Sequence, residues 1–200
     1  MGFPGEVEGS RAALTASAIV DLLLAAGRLK NLPRTGWRLA GIKECESVAD
    51  HNFRVALIAL LLGELVEGVD QGKLLRMAVL HDLPESVTTD LPLAAVKTFG
   101  REAKQQAERD AWRQLLPPGG QLDEWLDLWE EFEKGESVEA RLARAADRLE
   151  RLLQAYEYEG AGRRNLEGFW REDVCRDLEF EMVRSIFGEL RKRRAGLASR

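Results

Sequence analysis

Residues 47–68 read SVADHNFRVALIALLLGELVEG, and the period of this stretch decides the fold class. Its apolar residues follow no two-residue alternation, and the run is longer than the 4–8 residues typical of a buried strand. Ser47-Val-Ala-Asp50 resembles a capping box with Asp in place of the usual Glu, which starts a helix at Ser47. Gly68 offers a C-cap at the other end. Apolar side chains cover most of the circumference, the mark of a central, well-buried helix.

Working outward, nearly every other segment repeats with helical period, and no alternating strand of useful length occurs. The spacing predicts helices over about 10–29, 71–83, 92–98, 101–115, 121–134, 137–159 and 170–194. Pro84 ends or kinks the 71–83 helix. KNLPRTGWRLAG, residues 30–41, reads as a loop because of Pro33, Gly36 and Gly41. Leu122, Trp125, Trp129 and Phe132 recur at helical spacing as a core stripe, while the other tryptophans fit core or interface equally. Residues 1–9 form a flexible N-terminal tail and 195–200 a C-terminal one. The expectation is one all-α domain of about seven to nine helices.

The composition is that of an ordinary soluble globular chain of 200 residues, 45% hydrophobic and 32% charged. The longest apolar run, VALIALLLG at 55–63, falls short of the about 20 residues a membrane span needs, and no signal peptide is recognisable. Glu6 stands where a myristoylation signal requires Ser or Thr. Cys45 and Cys175 match no CxxC pattern and read as reduced thiols of a cytoplasmic protein. A net charge of −5 argues against a nucleic-acid polymer as partner, and RKRR at 191–194 reads as a solvated helix end.

The chain has two histidines, each beside a carboxylate at the end of an apolar helix: Asp50-His51 and His81-Asp82. Imidazole with carboxylate suits a divalent transition metal, and three ligands arise if the two helix ends face one cleft. Each histidine could instead be a satisfied core or surface residue, although the pairing favours the metal. Periodicity alone makes Asp147 and Arg151 an exposed i, i+4 ion pair. It makes Glu85 a surface residue after Pro84, Asp90 a helix N-cap and Arg34 a solvated cation. Trp37 fits a base stack or a core plug equally.

The order His51, His81-Asp82 and distant Asp147 resembles the H…HD…D signature of the HD-domain metal-dependent phosphohydrolases. PRTGW, ESVADHNFRVALIALLL, AVLHDLPESVTTDLP and ARAADRLERLLQAYEYE, spread over residues 33–160, resemble more closely the HD-domain 5′-deoxynucleotidase family. The resemblance implies an HD domain over 10–194 and one divalent transition metal ion (Mn, Co, Zn, Fe or Ni) on His51, His81, Asp82 and Asp147. It implies that Glu85 activates or positions the attacking water, with Asp90 close to the substrate sugar. Arg34 and Trp37 lie where family members contact phosphate and nucleoside, although bacterial members have Arg and Trp adjacent where this chain has Arg34-Thr-Gly-Trp37. Lys43 is a further candidate for the phosphate.

The activity so implied is hydrolysis of a deoxyribonucleoside 5′-monophosphate to deoxynucleoside and phosphate by a homodimer. Two alternatives remain at this stage. One is an HD-domain phosphohydrolase acting on a triphosphate, a cyclic nucleotide or an alarmone. The other is a non-catalytic metal-binding nucleotide sensor or scaffold.

Overall fold

The computed structural model describes residues 14–116, 122–171 and 179–197. The N-terminal tail and Cys175 lie outside the described residues. Among the described residues ten α-helices follow in order: α1 (Ala16–Gly27), α2 (Thr35–Leu39), α3 (Val48–Leu65), α4 (Gln71–Leu80), α5 (Glu85–Thr88), α6 (Leu93–Phe99), α7 (Arg101–Leu115), α8 (Asp123–Lys134), α9 (Val138–Gly160) and α10 (Glu181–Leu197). Short 3-10 turns occupy Arg28–Asn31 and Glu167–Trp170. The fold is all-α, and α2 and α5 are single turns that sequence periodicity is too coarse to separate. Among the described residues no helix is long and apolar enough to cross a membrane.

Local sequence accounts for the starts of four helices. Thr15, Ser47, Asp70 and Ser137 each accept a hydrogen bond from the backbone N–H three residues on, capping α1, α3, α4 and α9. The expected box at Ser47 forms in full, because the Asp50 carboxylate also takes the Ser47 N–H at 2.8 Å. Helix α8 stops at Gly135, which adopts φ 68°, and a β-carbon there would meet the Arg144 guanidinium at 2.9 Å. Arg144 occupies that space to donate to the Glu133 carbonyl.

Helices α3, α4 and α9 pack on one another, and α8 and α10 lean on α9. Val55, Ala59 and Leu62 of α3 meet Leu74, Met77 and Ala78 of α4 and Leu142, Ala146 and Leu149 of α9 in the common core. The run of alanines along α9 lets the neighbouring helices approach closely. Trp129 and Phe132 are buried as their stripe predicts, and Trp112 and Trp170 are core residues too.

Three expectations are corrected. The 30–41 segment is not all loop, since Thr35–Leu39 forms α2. Its first N–H, on Thr35, is satisfied by the Asp90 carboxylate 55 residues away, a tertiary cap that no local pattern announces. The last described helix, Glu181–Leu197, runs past the expected boundary at 194, while residues 172–178 of the expected span lie outside the described residues. Finally, α3 is not buried all round. His51, Val55, Ile58 and Leu62 face inward, whereas Phe53, Leu57, Leu60, Leu61 and Leu65 are 44–74% exposed along the opposite ridge.

Removing the α3 cap with Ser47→Ala is expected to destabilise the fold by about 1–2 kcal/mol. Urea unfolding should show a lower midpoint with an unchanged slope.

Candidate metal centre and substrate cleft

Two helix ends and the middle of a third helix build the centre. The capping box fixes the first turn of α3, and His51 projects from that turn with no exposed surface. Helix α4 stops at Leu80 because Pro84 disfavours helical geometry in the residue before it. The chain then turns through i, i+3 bonds, from Leu83 N–H to the Leu80 carbonyl and from Glu85 N–H to the Asp82 carbonyl. That tight turn brings the consecutive side chains of His81 and Asp82 to one side, with Nε2 and Oδ2 3.3 Å apart. Asp147 arrives from α9, its Oδ1 3.2 Å from His51 Nε2. Asp82 Oδ2 lies 3.6 Å from the same nitrogen.

The ring nitrogens pointing away from this centre are already engaged. His51 Nδ1 is 2.5 Å from a Glu150 oxygen, and His81 Nδ1 donates to the Ala78 carbonyl at 2.8 Å. Since a carboxylate or carbonyl only accepts, in the neutral ring each Nδ1 carries the hydrogen and each Nε2 presents its lone pair inward. Both Nε2 atoms are buried without a hydrogen-bond partner. Donors bound about 2.1 Å from one ion stand roughly 3.0–3.4 Å from each other; the donor atoms of His51, His81 and Asp82 already lie within 4.8 Å of one another, and Asp147 adjoins that group through His51. The donor set of two imidazoles and two carboxylates therefore fits a divalent cation.

Electrostatics lead to the same conclusion. Burial opposes charge on Asp82, yet the two histidines and Arg34 hold its carboxyl below the usual range. Asp147 is depressed likewise, against burial, by His51. Burial and Arg34 oppose a second proton on His51, but the carboxylates of Asp147 and Glu150 beside the ring lift its pKa to about 9. The centre concentrates negative charge and draws in positive charge, which a divalent ion supplies without protonating the ligands.

A cleft of about 560 Å³ opens beside these residues, lined by Arg34, Trp37, Glu85, Asp90, Arg151 and Phe169 among others. Arg34 is not a solvated cation, because its Nη1 donates to Asp82 at 3.1 Å. Glu85 is buried rather than on the surface, and burial followed by the nearby Asp82 charge raises its pKa well above normal. Asp90 does cap a helix, but it is α2 and not the helix that follows it. Trp37 is 2% exposed, stacked on Phe169 at 4.1 Å, with its indole N–H held by Glu46 at 2.7 Å. It shapes the cleft wall as a core plug. Lys43 is exposed and absent from the lining, so the cleft does not bring it to the site.

These features coincide with a match to the HD domain family over residues 26–186. The chain belongs to that family. An HD domain implies a divalent metal, and two groups of side chains lie closely enough to serve an ion, His51, His81 and Asp82 on one side of the His51 ring and Glu46, His51 and Glu150 on the other. The chain is 36% identical over 143 residues to the cattle (Bos taurus) protein named 5′-deoxynucleotidase HDDC2, a span of 70% of this chain and 68% of that one. A Xenopus laevis protein of the same name is 30% identical over 90% of both chains. Among solved structures, a conserved hypothetical protein of Pyrococcus furiosus superposes with a TM-score of 0.76 at 41% identity, over 86% of this chain and 99% of that one. A protein of Magnetospirillum magnetotacticum described as a predicted metal-dependent phosphohydrolase gives 0.72 at 28% identity, over 91% and 93%.

Sequence reasoning missed Glu150, Arg54, Arg151 and Lys104. Asp147 and Arg151 are no exposed pair, since Asp147 faces His51 and Arg151 lines the cleft. The available signal was Glu150, a charged residue sharing one helical face with Leu142, Ala146 and Leu149. Thr89, just before Asp90, holds φ 69° and ψ 164°, a region that glycine occupies almost alone. Thr89→Gly is expected to relieve that strain and raise the melting temperature, by about 2–4 °C for each kcal/mol recovered. Calorimetry checks it, and an unchanged or lower value would show that the turn is unstrained.

Proposed function

We propose that this HD domain is a metal-dependent 5′-deoxynucleotidase that hydrolyses deoxyribonucleoside 5′-monophosphates to deoxynucleoside and phosphate. The observation that carries this reading is the convergence of two buried, unpartnered imidazole nitrogens and two ionised carboxylates at the edge of a cation-lined cleft. Relatives named as 5′-deoxynucleotidases support the choice of substrate. In this reading His51, His81, Asp82 and Asp147 hold one divalent transition metal ion, with Mn, Co, Zn, Fe and Ni all compatible with the donors. Such an ion lowers the pKa of a bound water and polarises a phosphoryl oxygen.

The chain's own residues do the rest. Arg34 and Arg151 neutralise the phosphate from the cleft wall, Arg34 remaining oriented by Asp82. Arg151 Nε is buried without a partner, as a donor awaiting an anion would be. Glu85 takes a proton from the attacking water and returns one to the leaving 5′ oxygen, work suited to a carboxyl whose pKa burial has raised. Asp90, pinned by Thr35, orients the sugar and water side of the cleft. Arg101, Lys104 and Arg144 add cations beyond the need of one monophosphate, which keeps a triphosphate as the second reading.

Stripping the metal, reloading Mn, Co or Zn, and assaying a nucleotide panel separates these readings. Inorganic phosphate from deoxynucleoside monophosphates alone is expected. Release of pyrophosphate or triphosphate supports the second reading, and no release with any metal leaves the sensor. Asp147→Ala is expected to lose the metal, and full occupancy in that variant would overturn the four-ligand set. Arg151→Ala removes a charge-assisted contact of about 1.5–3 kcal/mol, so kcat/KM should fall roughly ten- to hundredfold with metal content unchanged.

We also propose a homodimer, supported by the exposed apolar ridge of α3 at Phe53, Leu57, Leu61 and Leu65. Light scattering on the purified chain should give twice the chain mass, and Leu57→Asp with Leu61→Asp should give the monomer.

A further inference from the structure

Glu150 is a buried carboxylate beside the metal centre, and its geometry sets it apart from the four side chains that converge on it. We infer that Glu150 is a positioning residue, which fixes His51 for metal binding without touching the ion and is itself fixed by Arg54. The inference rests on the metal centre proposed above.

The two nitrogens of an imidazole point to opposite sides of the ring. Asp82 and Asp147 approach His51 at Nε2, whereas Glu150 approaches at Nδ1, 2.5 Å away. An ion held by Nε2 is therefore out of reach of Glu150. The other Glu150 oxygen, Oε1, accepts from Arg54 Nε at 3.0 Å and from Nη2 at 2.9 Å. With one oxygen on His51 and the other in the guanidinium fork, both oxygens of this carboxylate are already engaged on the side of the ring away from Asp82 and Asp147. Arg54 continues outward to Gln154 and to Glu157, the latter at 2.7 Å. His51 and Arg54 on α3 thus face Asp147, Glu150, Gln154 and Glu157 on α9, two polar stripes at helical spacing that set the register of the helices.

The two histidines differ in consequence. His81 Nδ1 meets a neutral backbone carbonyl, while His51 Nδ1 meets a carboxylate. A carboxylate partner raises the donor strength of the opposite nitrogen and holds the ring plane, and losing such a partner typically weakens metal binding about 10–100-fold. The charge on Glu150 is tolerable at zero exposure only because Arg54 balances it.

The test uses full-length protein stripped of metal and titrated with Co(II) against a chromophoric chelator. Wild type should bind one ion per chain, and failure to bind would overturn the metal centre itself rather than the role of Glu150. Glu150→Gln should still bind one ion, with affinity about 10–100-fold lower and a shifted visible Co(II) spectrum at saturation. Unchanged affinity and spectrum would overturn the positioning role. Loss of the site as complete as in Asp147→Ala, with the fold intact by circular dichroism, would make Glu150 a ligand and also overturn it. Arg54→Lys keeps the charge but loses the fork, and reads the same role should Glu150→Gln fail to fold. A weaker Co(II) affinity is expected there, and wild-type affinity would overturn the inference.

Discussion

The contact between α3 and α9 is the constraint from which the site follows. It carries apolar and ionic groups on one interface: Val55, Ala59 and Leu62 pack toward Leu142, Ala146 and Leu149, and His51 and Arg54 meet Asp147 and Glu150. The ionic part costs desolvation and is satisfied only at one relative placement of the helices. Hydrophobic packing would tolerate a shift of register; the guanidinium fork and the imidazole bond do not. The interface that holds the fold together therefore also sets the distance between His51 and Asp147.

The remainder of the centre is supplied by a break in helix α4. A continuous helix would point consecutive side chains about 100° apart, which separates His81 from Asp82. Pro84 stops the helix after Leu80, and the following turn lets both reach the same point. Beyond that turn the chain passes through strained Thr89 to Asp90, whose carboxylate begins α2. Cleft wall and proposed metal ligands are joined through this short connection, so Arg34 and Trp37 are placed by the same segment that presents His81 and Asp82.

Charge distribution divides the site into two functional regions. The side bearing Asp82 and Asp147 is negative and matched to a cation, while Arg34, Arg151 and Lys104 line a cleft matched to an anion. Glu85 sits between them, buried and with its pKa raised, where a proton would have to pass. A chain of net charge −5 can in this way bind a phosphate, because the cations are concentrated in one cleft.

How much of this the sequence carried depended on the range of the interactions. Helical period, Ser47-Asp50 and the Asp70 and Ser137 caps are local, and they determined the all-α class and the starts of the three central helices. The two histidines beside carboxylates at helix ends were enough to favour a metal, and the resemblance to a known family added Asp147 and a substrate class. Periodicity misjudged Asp147 and Arg151, and passed over Glu150, because it separates apolar from polar faces without saying what a polar face meets. It misjudged the outer ridge of α3 for the converse reason, since an apolar face is buried only if something covers it. The start of α2, the bond from Glu150 to His51 and the gathering of cations in one cleft were decided by the tertiary structure alone. Each joins residues tens of positions apart, and only packing brings such residues within hydrogen-bonding range.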